Sequence, residues 1–213
     1  MIQCRTRVGK VKKDDDMWEL LDDEGKRLGM YDTVVIAIPA PQAVNLLDDG
    51  EVFKERIEKV EIAPCIALFG HFPPSIYEEF QFDGAFVNDS NIRWACRNNS
   101  KPGRPIIDDG DCWMIHSTPE WAAENYEQDK EFLKEELLKE FSLALYNDES
   151  KLFVEDVHIK KWRYSIPTVE VGEQYLWNGD RRLGLCGDWC ANSKVQAAYL
   201  SGLHLANTII ETE

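Results

Sequence analysis

A chain of 213 residues, 44% of them hydrophobic and seven of them tryptophan, carries enough apolar material for one large domain or two small ones, and is not a disordered tail. Its 24 basic against 39 acidic residues leave a formal charge of −15, which repels nucleic acid and anionic membranes alike. No apolar run approaches the roughly 20 residues that a membrane helix needs, and no apolar stretch follows Met1-Ile2-Gln3-Cys4 as in a signal peptide, so a cytoplasmic location is expected.

Residues 2–8 alternate in polarity and predict a strand. Lys10 to Asp16 is the only dense charge cluster and predicts a solvated hairpin tip. Trp18 to Leu21 predicts a second strand, and Asp22-Asp23-Glu24-Gly25 a turn closed by glycine. The β-branched run Thr33 to Ile38 predicts a strand buried on both faces, stopped by Pro39-Ala40-Pro41 and followed by a short helix over Gln42 to Leu47. Glu61 to Phe72 is long and apolar and ends at Pro73-Pro74. Short strands are expected at Gly84 to Val87, Asn91 to Cys96 and Cys112 to Ser117, with a Gly/Pro/Asp-rich loop from Lys101 to Asp111.

Leu133, Leu137, Phe141 and Leu145 recur every four residues opposite a charged face, which predicts a helix over Glu127 to Tyr146. Phe153 to Trp162 alternates again as a strand. Strands, helix and strand in this order predict an antiparallel sheet with helices on one side. Leu183, Leu185 and Cys186 read as a buried strand, and Val195 to Ile210 as a helix with Val195, Ala198, Gly202, Leu205 and Ile209 on one face. Gly202 costs about 1 kcal/mol of helix propensity relative to alanine, so close packing on a sheet is the expected reason for it.

The six cysteines form no C-x-x-C pair and the four histidines no metal-ligand spacing, so buried reduced thiols and no metal are expected. The informative turn is Gly187-Asp188-Trp189-Cys190. It delivers a carboxylate and the N–H groups of a helix start, near Lys194-Val195-Gln196, to one place. Asp188 is either an N-cap or a ligand-binding residue; Asn192 or Ser193 could supply the cap instead and leave Asp188 free. Trp162, within Lys161-Trp162-Arg163-Tyr164, is a half-buried aromatic or the wall of a pocket for a flat ligand. His116 is a hydrogen-bonded core histidine or a catalytic group. Asn98-Asn99 with Lys101-Pro102-Gly103-Arg104 says only "turn".

Several segments, in order, resemble the flavin-dependent amine oxidase superfamily and within it the renalase-like FAD oxidoreductases. They are Tyr31 to Ala43, with its strand ending in Pro39-Ala40-Pro41-Gln42-Ala43; Asp83-Gly84-Ala85-Phe86-Val87; Lys101-Pro102-Gly103-Arg104; Trp113-Met114-Ile115-His116; Lys161-Trp162-Arg163-Tyr164; and Gly187-Asp188-Trp189-Cys190 with Val195 and Ala198 to Gly202.

The resemblance implies an α/β (α+β) fold. Residues 1–50 and 180–213 would be the remainder of an FAD-binding Rossmann-like domain. Residues 51–179 would form a substrate domain with an antiparallel sheet and flanking helices. It implies hydride transfer from a small reduced substrate, such as a dihydronicotinamide or an amine, to FAD, with reoxidation by dioxygen. By position, Pro39, Gly187, Asp188, Trp189, Val195 and Gln196 would face the cofactor, while Trp162, His116 and Asn99 would line the substrate pocket.

Two departures stand out. Gln196 and Ala197 replace a glutamate and a glycine, and the family's first strand, G-x-G-x-x-G loop and helix are not in the sequence. The expectation is therefore the C-terminal portion of such an enzyme, partnered by a separate N-terminal dinucleotide-binding segment. A non-catalytic binding or scaffold remnant of the same fold is the second reading, and an exposed apolar edge could also pair two copies.

Overall fold

The computed structural model describes residues 2–105 and 107–212. The chain opens with β1 (Lys10–Asp14), β2 (Met17–Leu21), β3 (Arg27–Tyr31) and β4 (Val34–Ile36), then α1 (Ala40–Leu46) and α2 (Lys54–Ile57). The middle holds β5 (Glu61–Phe72), α3 (Ile76–Phe80), β6 (Gly84–Phe86), β7 (Ile92–Arg97), β8 (Asp111–Ser117), α4 (Pro119–Asn125) and α5 (Lys130–Tyr146). It closes with β9 (Asp156–Val169), β10 (Leu176–Asn178), β11 (Leu183–Leu185) and α6 (Val195–Thr212). Two compact units result: Met1–Ile62 with Pro167–Glu213, and Ala63–Ile166.

In the first unit, β1, β2 and β3 form an antiparallel meander. Gly25, at φ +80°, closes the β2–β3 turn, and Asp22 Oδ1 accepts from the N–H groups of Glu24 and Lys26. The charged tip between β1 and β2 is a hairpin turn with Asp15 at φ 52°. The strand expected over residues 2–8 is absent: the ladder starts at Lys10, because Val11 is the residue that reaches the core, beside Trp18 and Leu47. A second sheet has the order β10-β11-β4, with β11 parallel to β4. The run Thr33 to Ile38 was expected to be covered on both faces. Only three of its residues form a strand, and they alternate: Val34 and Ile36 are buried, whereas Val35 is 44% exposed.

Helix α6 lies over β11, with Leu205 fully buried. A Cβ added to Gly184 would come within 2.9 Å of Leu205 Cδ2, whereas one added to Gly202 would meet only Cys186 Sγ, at 4.0 Å. The close approach between helix and sheet is therefore made at Gly184, on the strand, and not at Gly202 as the helix spacing suggested. Val195, placed by its spacing on the apolar face, is 91% exposed.

The second unit is built on a five-stranded sheet, β6-β7-β8-β5-β9, whose β6–β7, β7–β8 and β8–β5 pairs are antiparallel. One face carries Ile66, Leu68, Ala95, Trp113 and Ile115, packed with Trp121 of α4 and with Leu133, Leu137 and Phe141 of α5. This is the expected sheet with helices on one side. Helix α5 begins three residues later than expected, because Asp129 caps it by accepting from Phe132 N at 2.9 Å. A buried ion pair holds one end of the sheet: Asp111 accepts from Ser75 Oγ (2.7 Å) and Tyr77 N (2.9 Å), and faces Arg97 at 3.4 Å.

Candidate functional site

Strand β11 is buried at all three residues, so its end is fixed by packing before any polar group is placed. Cys186 N then donates to Ile36 O at 3.1 Å and carries the parallel ladder one residue further. Beyond it the chain turns. Gly187 N donates to Ser201 Oγ on α6 (3.1 Å), Cys190 N to Gly187 O (3.2 Å), and Trp189 Nε1 to Ile38 O (3.0 Å). Trp189 and Cys190 fill the core, and Asp188 is left half-buried between them and solvent. A Cβ on Gly187 would lie 2.5 Å from Trp189 Nε1, so glycine is required for the indole to fold back on the turn.

Burial pushes the Asp188 carboxyl above its ordinary range. Bonds from the Trp189 and Asp188 backbone N–H groups act against this, and Glu170 adds to it. Among the described residues no cationic side chain pairs with Asp188. The two cysteines flanking it are buried and free, and burial pushes the Cys190 thiol up to about 12, which leaves it un-ionised and unreactive at neutral pH.

Helix α6 starts at Val195, and neither Asn192 nor Ser193 caps it. Lys194 N bonds back to Asn192 O at 2.7 Å, and the helical ladder resumes with Ala198 N to Lys194 O at 3.1 Å. Among the described residues the N–H groups of Val195, Gln196 and Ala197 have no protein acceptor. A half-buried carboxylate and an uncapped helix start thus belong to the same strand–turn–helix passage. Pro39 follows β4, and its carbonyl accepts from Gln42 N and Ala43 N at the start of α1.

In the second unit, register assigns the sheet's other face. Ile115 and Trp113 point to the helices, so Cys112, Met114 and His116 point away. Trp94 stands opposite His116, Phe86 opposite Trp94, and Phe69 opposite Met114. On β9, Val157 and Ile159 pack on the helix side, and Lys161 Nζ bonds Gln128 O (2.6 Å) there, so Trp162 projects from the opposite face and is 49% exposed.

His116 and Trp162 therefore share the helix-free face. Asn99 does not stand on it. Its Oδ1 accepts from Cys112 N at 3.1 Å, and it lines a polar pocket of about 260 Å³ with Arg97, Asp108 and Asp111. Burial, and secondarily the charge of Lys101, hold the His116 imidazole below its ordinary value, so it is neutral at pH 7. Sequence reading missed Trp94, Phe86, Met114 and Phe69. The signal was present as the alternation of Phe86 and Trp94 with small residues in two adjacent short strands.

The family model for flavin containing amine oxidoreductases matches residues 1–210. The chain belongs to that family. Solved structures agree at the level of fold. A protein assigned as a protoporphyrinogen oxidase from Exiguobacterium sp. 255-15 is 17% identical with TM-score 0.75, and covers 97% of this chain and 47% of its own. Cyclohexylamine oxidase from Brevibacterium oxydans IH-35A is 12% identical with TM-score 0.73, covering 96% and 48%. Putrescine oxidase with bound putrescine is 13% identical with TM-score 0.67, covering 96% and 48%. The chain spans about half the length of these structures.

A flavin fits the first unit in part. Asp188, with no cationic partner among the described residues, offers a partly buried acceptor for a sugar or ribityl hydroxyl. The uncapped start of α6 offers donors for a partly negative oxygen. The nine residues between β11 and α6 contain a single glycine, Gly187, and no glycine-rich loop to hold a diphosphate. No helix among the described residues is long and apolar enough to cross a membrane.

Proposed function

We propose that this chain belongs to a renalase-like, FAD-dependent oxidoreductase. The observation that carries the reading is the passage from Gly187 to Gln196 in a flavin-family chain: a half-buried carboxylate with no cationic partner, followed by helix N–H groups with no protein acceptor among the described residues. In this reading FAD, when bound, supplies the capacity to take a hydride from a small reduced substrate and to return the electrons to dioxygen as hydrogen peroxide.

The chain's own residues bind and orient. Asp188 accepts hydrogen bonds from the cofactor's sugar-like portion, Gly187 lets the backbone turn there, and Trp189 braces the turn from behind. Pro39 ends β4 on the cofactor side. The N–H groups of Val195 and Gln196 suit an oxygen on which negative charge grows. Trp162 and His116 line the substrate's side, and Asn99 positions the loop before β8.

The test is flavin uptake. The protein is purified and visible flavin absorbance is recorded after adding FAD. Absorbance that stays with the protein supports the reading. A protein that remains colourless overturns it and leaves a non-catalytic scaffold of the same fold.

A further inference from the structure

The five-stranded sheet of the second unit ends at β6, and among the described residues no strand lies on its outer side. Arg97 N donates to Asp83 O at 2.8 Å and Val87 N to Arg93 O at 3.1 Å, with Ala85 opposite Ala95 between them. Alternate residues of an antiparallel strand bond the same neighbour, so the N–H and C=O groups of Gly84 and Phe86 point to the open edge. Such edges are commonly blunted by a lysine, a proline or a bulge. Gly84-Ala85-Phe86-Val87 carries neither lysine nor proline and pairs with β7 in unbroken register, and Phe86 is 72% exposed.

A pocket of about 380 Å³ adjoins this edge on the helix side of the sheet. Its floor is made of small residues: Ala85 and Ala95, paired across β6 and β7, and Ala144 of α5. Phe80, Phe82 and Phe141 supply aromatic walls. Side chains alternate along a strand, so a residue added opposite Ala85 shares its face and directs its side chain into this space. The three alanines leave room there for one large apolar side chain.

Charge narrows the occupant. Residues 75–91, which supply α3, β6 and the turns around them, contain Glu78, Glu79, Asp83 and Asp89 and no Lys, Arg or His. Arg97 is bound to Asp83 and Asp111, and Lys151 stands 3.8 Å from Glu79. Among the described residues Glu78 and Asp89 have no cationic partner, and the acids bracket the edge at both ends. A second copy of this chain, at a formal charge of −15, is repelled. A basic segment is attracted.

We propose that the outer edge of β6 and the alanine-floored pocket beside it dock an extended basic peptide of a partner protein, added as a further strand with one large apolar side chain seated beside Ala85. Main-chain hydrogen bonds to Gly84 and Phe86 hold the strand, and the pocket and the flanking acids select its sequence. Nothing in this surface depends on the flavin reading.

The experiment uses the whole chain and a capped peptide of lysine, threonine, phenylalanine, threonine and lysine, followed through the amide resonances of Gly84 and Phe86 by NMR. The peptide shifts both, and its counterpart with glutamate in place of lysine shifts neither. N-methylation of the peptide's main chain abolishes binding. Ala144→Phe fills the pocket from an exposed position, and Phe86→Pro removes an outward N–H and no ladder bond. Each weakens binding by about tenfold or more, the scale of one interface anchor.

No shift from the lysine peptide, equal shifts from the glutamate peptide, or unchanged binding after N-methylation overturns the proposal. Unchanged affinity in Ala144→Phe overturns it even if Phe86→Pro does not fold. Self-association of the peptide-free chain that disappears in Phe86→Pro assigns the edge to a second copy and overturns it likewise.

Discussion

Trp189 donates from its indole Nε1 to the main-chain carbonyl of Ile38 at 3.0 Å, and this bond ties the Gly187-Asp188 turn to the segment that leaves β4. Both residues lie just beyond the strands of one parallel pair, β4 and β11, so the bond fixes the turn relative to the sheet that presents it. Trp189→Phe retains an aromatic ring and removes the donor, leaving the Ile38 carbonyl without it. The expected loss is about 1–3 kcal/mol, measured as a lower urea midpoint.

Two glycines make opposite predictions. Gly202→Ala places a methyl group 4.0 Å from Cys186 Sγ in a helix interior and is expected to stabilise by up to about 1 kcal/mol. Gly187→Ala drives a methyl group into the Trp189 indole and is expected to destabilise. Thermal denaturation of both variants in one buffer checks the pair of signs.

Asp188→Ala removes the carboxylate proposed to hold the cofactor, and no core volume. In the assembled flavoprotein it is expected to weaken FAD binding by about ten- to a hundredfold, with the far-ultraviolet spectrum unchanged. Unaltered FAD affinity in a titration would show that the carboxylate serves the turn alone. Trp162→Ala is expected to lower turnover by roughly tenfold or more while the flavin is retained; equal loss of both would place Trp162 outside the substrate pocket.

Asp111 gives a pH dependence with a definite sign. Burial alone would raise its carboxyl, but bonds from Tyr77 N, Ser75 Oγ and Arg97 prevail and hold it below its ordinary value. The folded state therefore binds this proton less readily than the unfolded chain. The stabilisation is fully present above the ordinary carboxylate range and is lost as pH falls through the lowered folded value. Asp111→Asn removes that part of the acid dependence and costs about 3 kcal/mol near neutral pH, because a charge partner of Arg97 is gone. Urea midpoints of both proteins across the acid range test this.

His116 is held neutral by burial and by Lys101. Its imidazole is expected to titrate below about 6.5, and Lys101→Ala is expected to move the midpoint upward. Proton NMR of the imidazole reads both values directly. A midpoint unmoved in Lys101→Ala would leave burial as the whole cause.

Elements whose apolar residues face a single core were legible in the sequence. Leu133, Leu137 and Phe141 marked α5, and Leu183 with Leu185 marked β11, because one periodicity dominated each. Polarity alternation misled where no core stood behind it, as over residues 2–8. A β-branched run implied cover on both sides of β4, whereas Val35 lies on an open side, a property of neighbours and not of the strand.

The Asp188 turn was readable as a polar site because its residue types point to one. The row of Phe86, Trp94 and His116 was legible only in part: alternation suggests that Phe86 and Trp94 stand on one face of their strands, but that they are neighbours of His116 is a fact of pairing. Val195 showed the converse limit: helical spacing gives its direction around the axis, but not whether anything lies opposite.

The order of the two units along the chain has a consequence for the time course of folding. Val34 pairs with Leu183, and everything belonging to the second unit lies between them. During synthesis Ala63–Ile166 can gather its own core while β4 still has no partner strand. Its maturation then brings β4 and β11 within reach, because a collapsed insert replaces a long flexible loop. Until that moment the Val34–Ile36 segment is nascent chain with unmet backbone groups and apolar side chains, the stage at which a holding chaperone protects yield most.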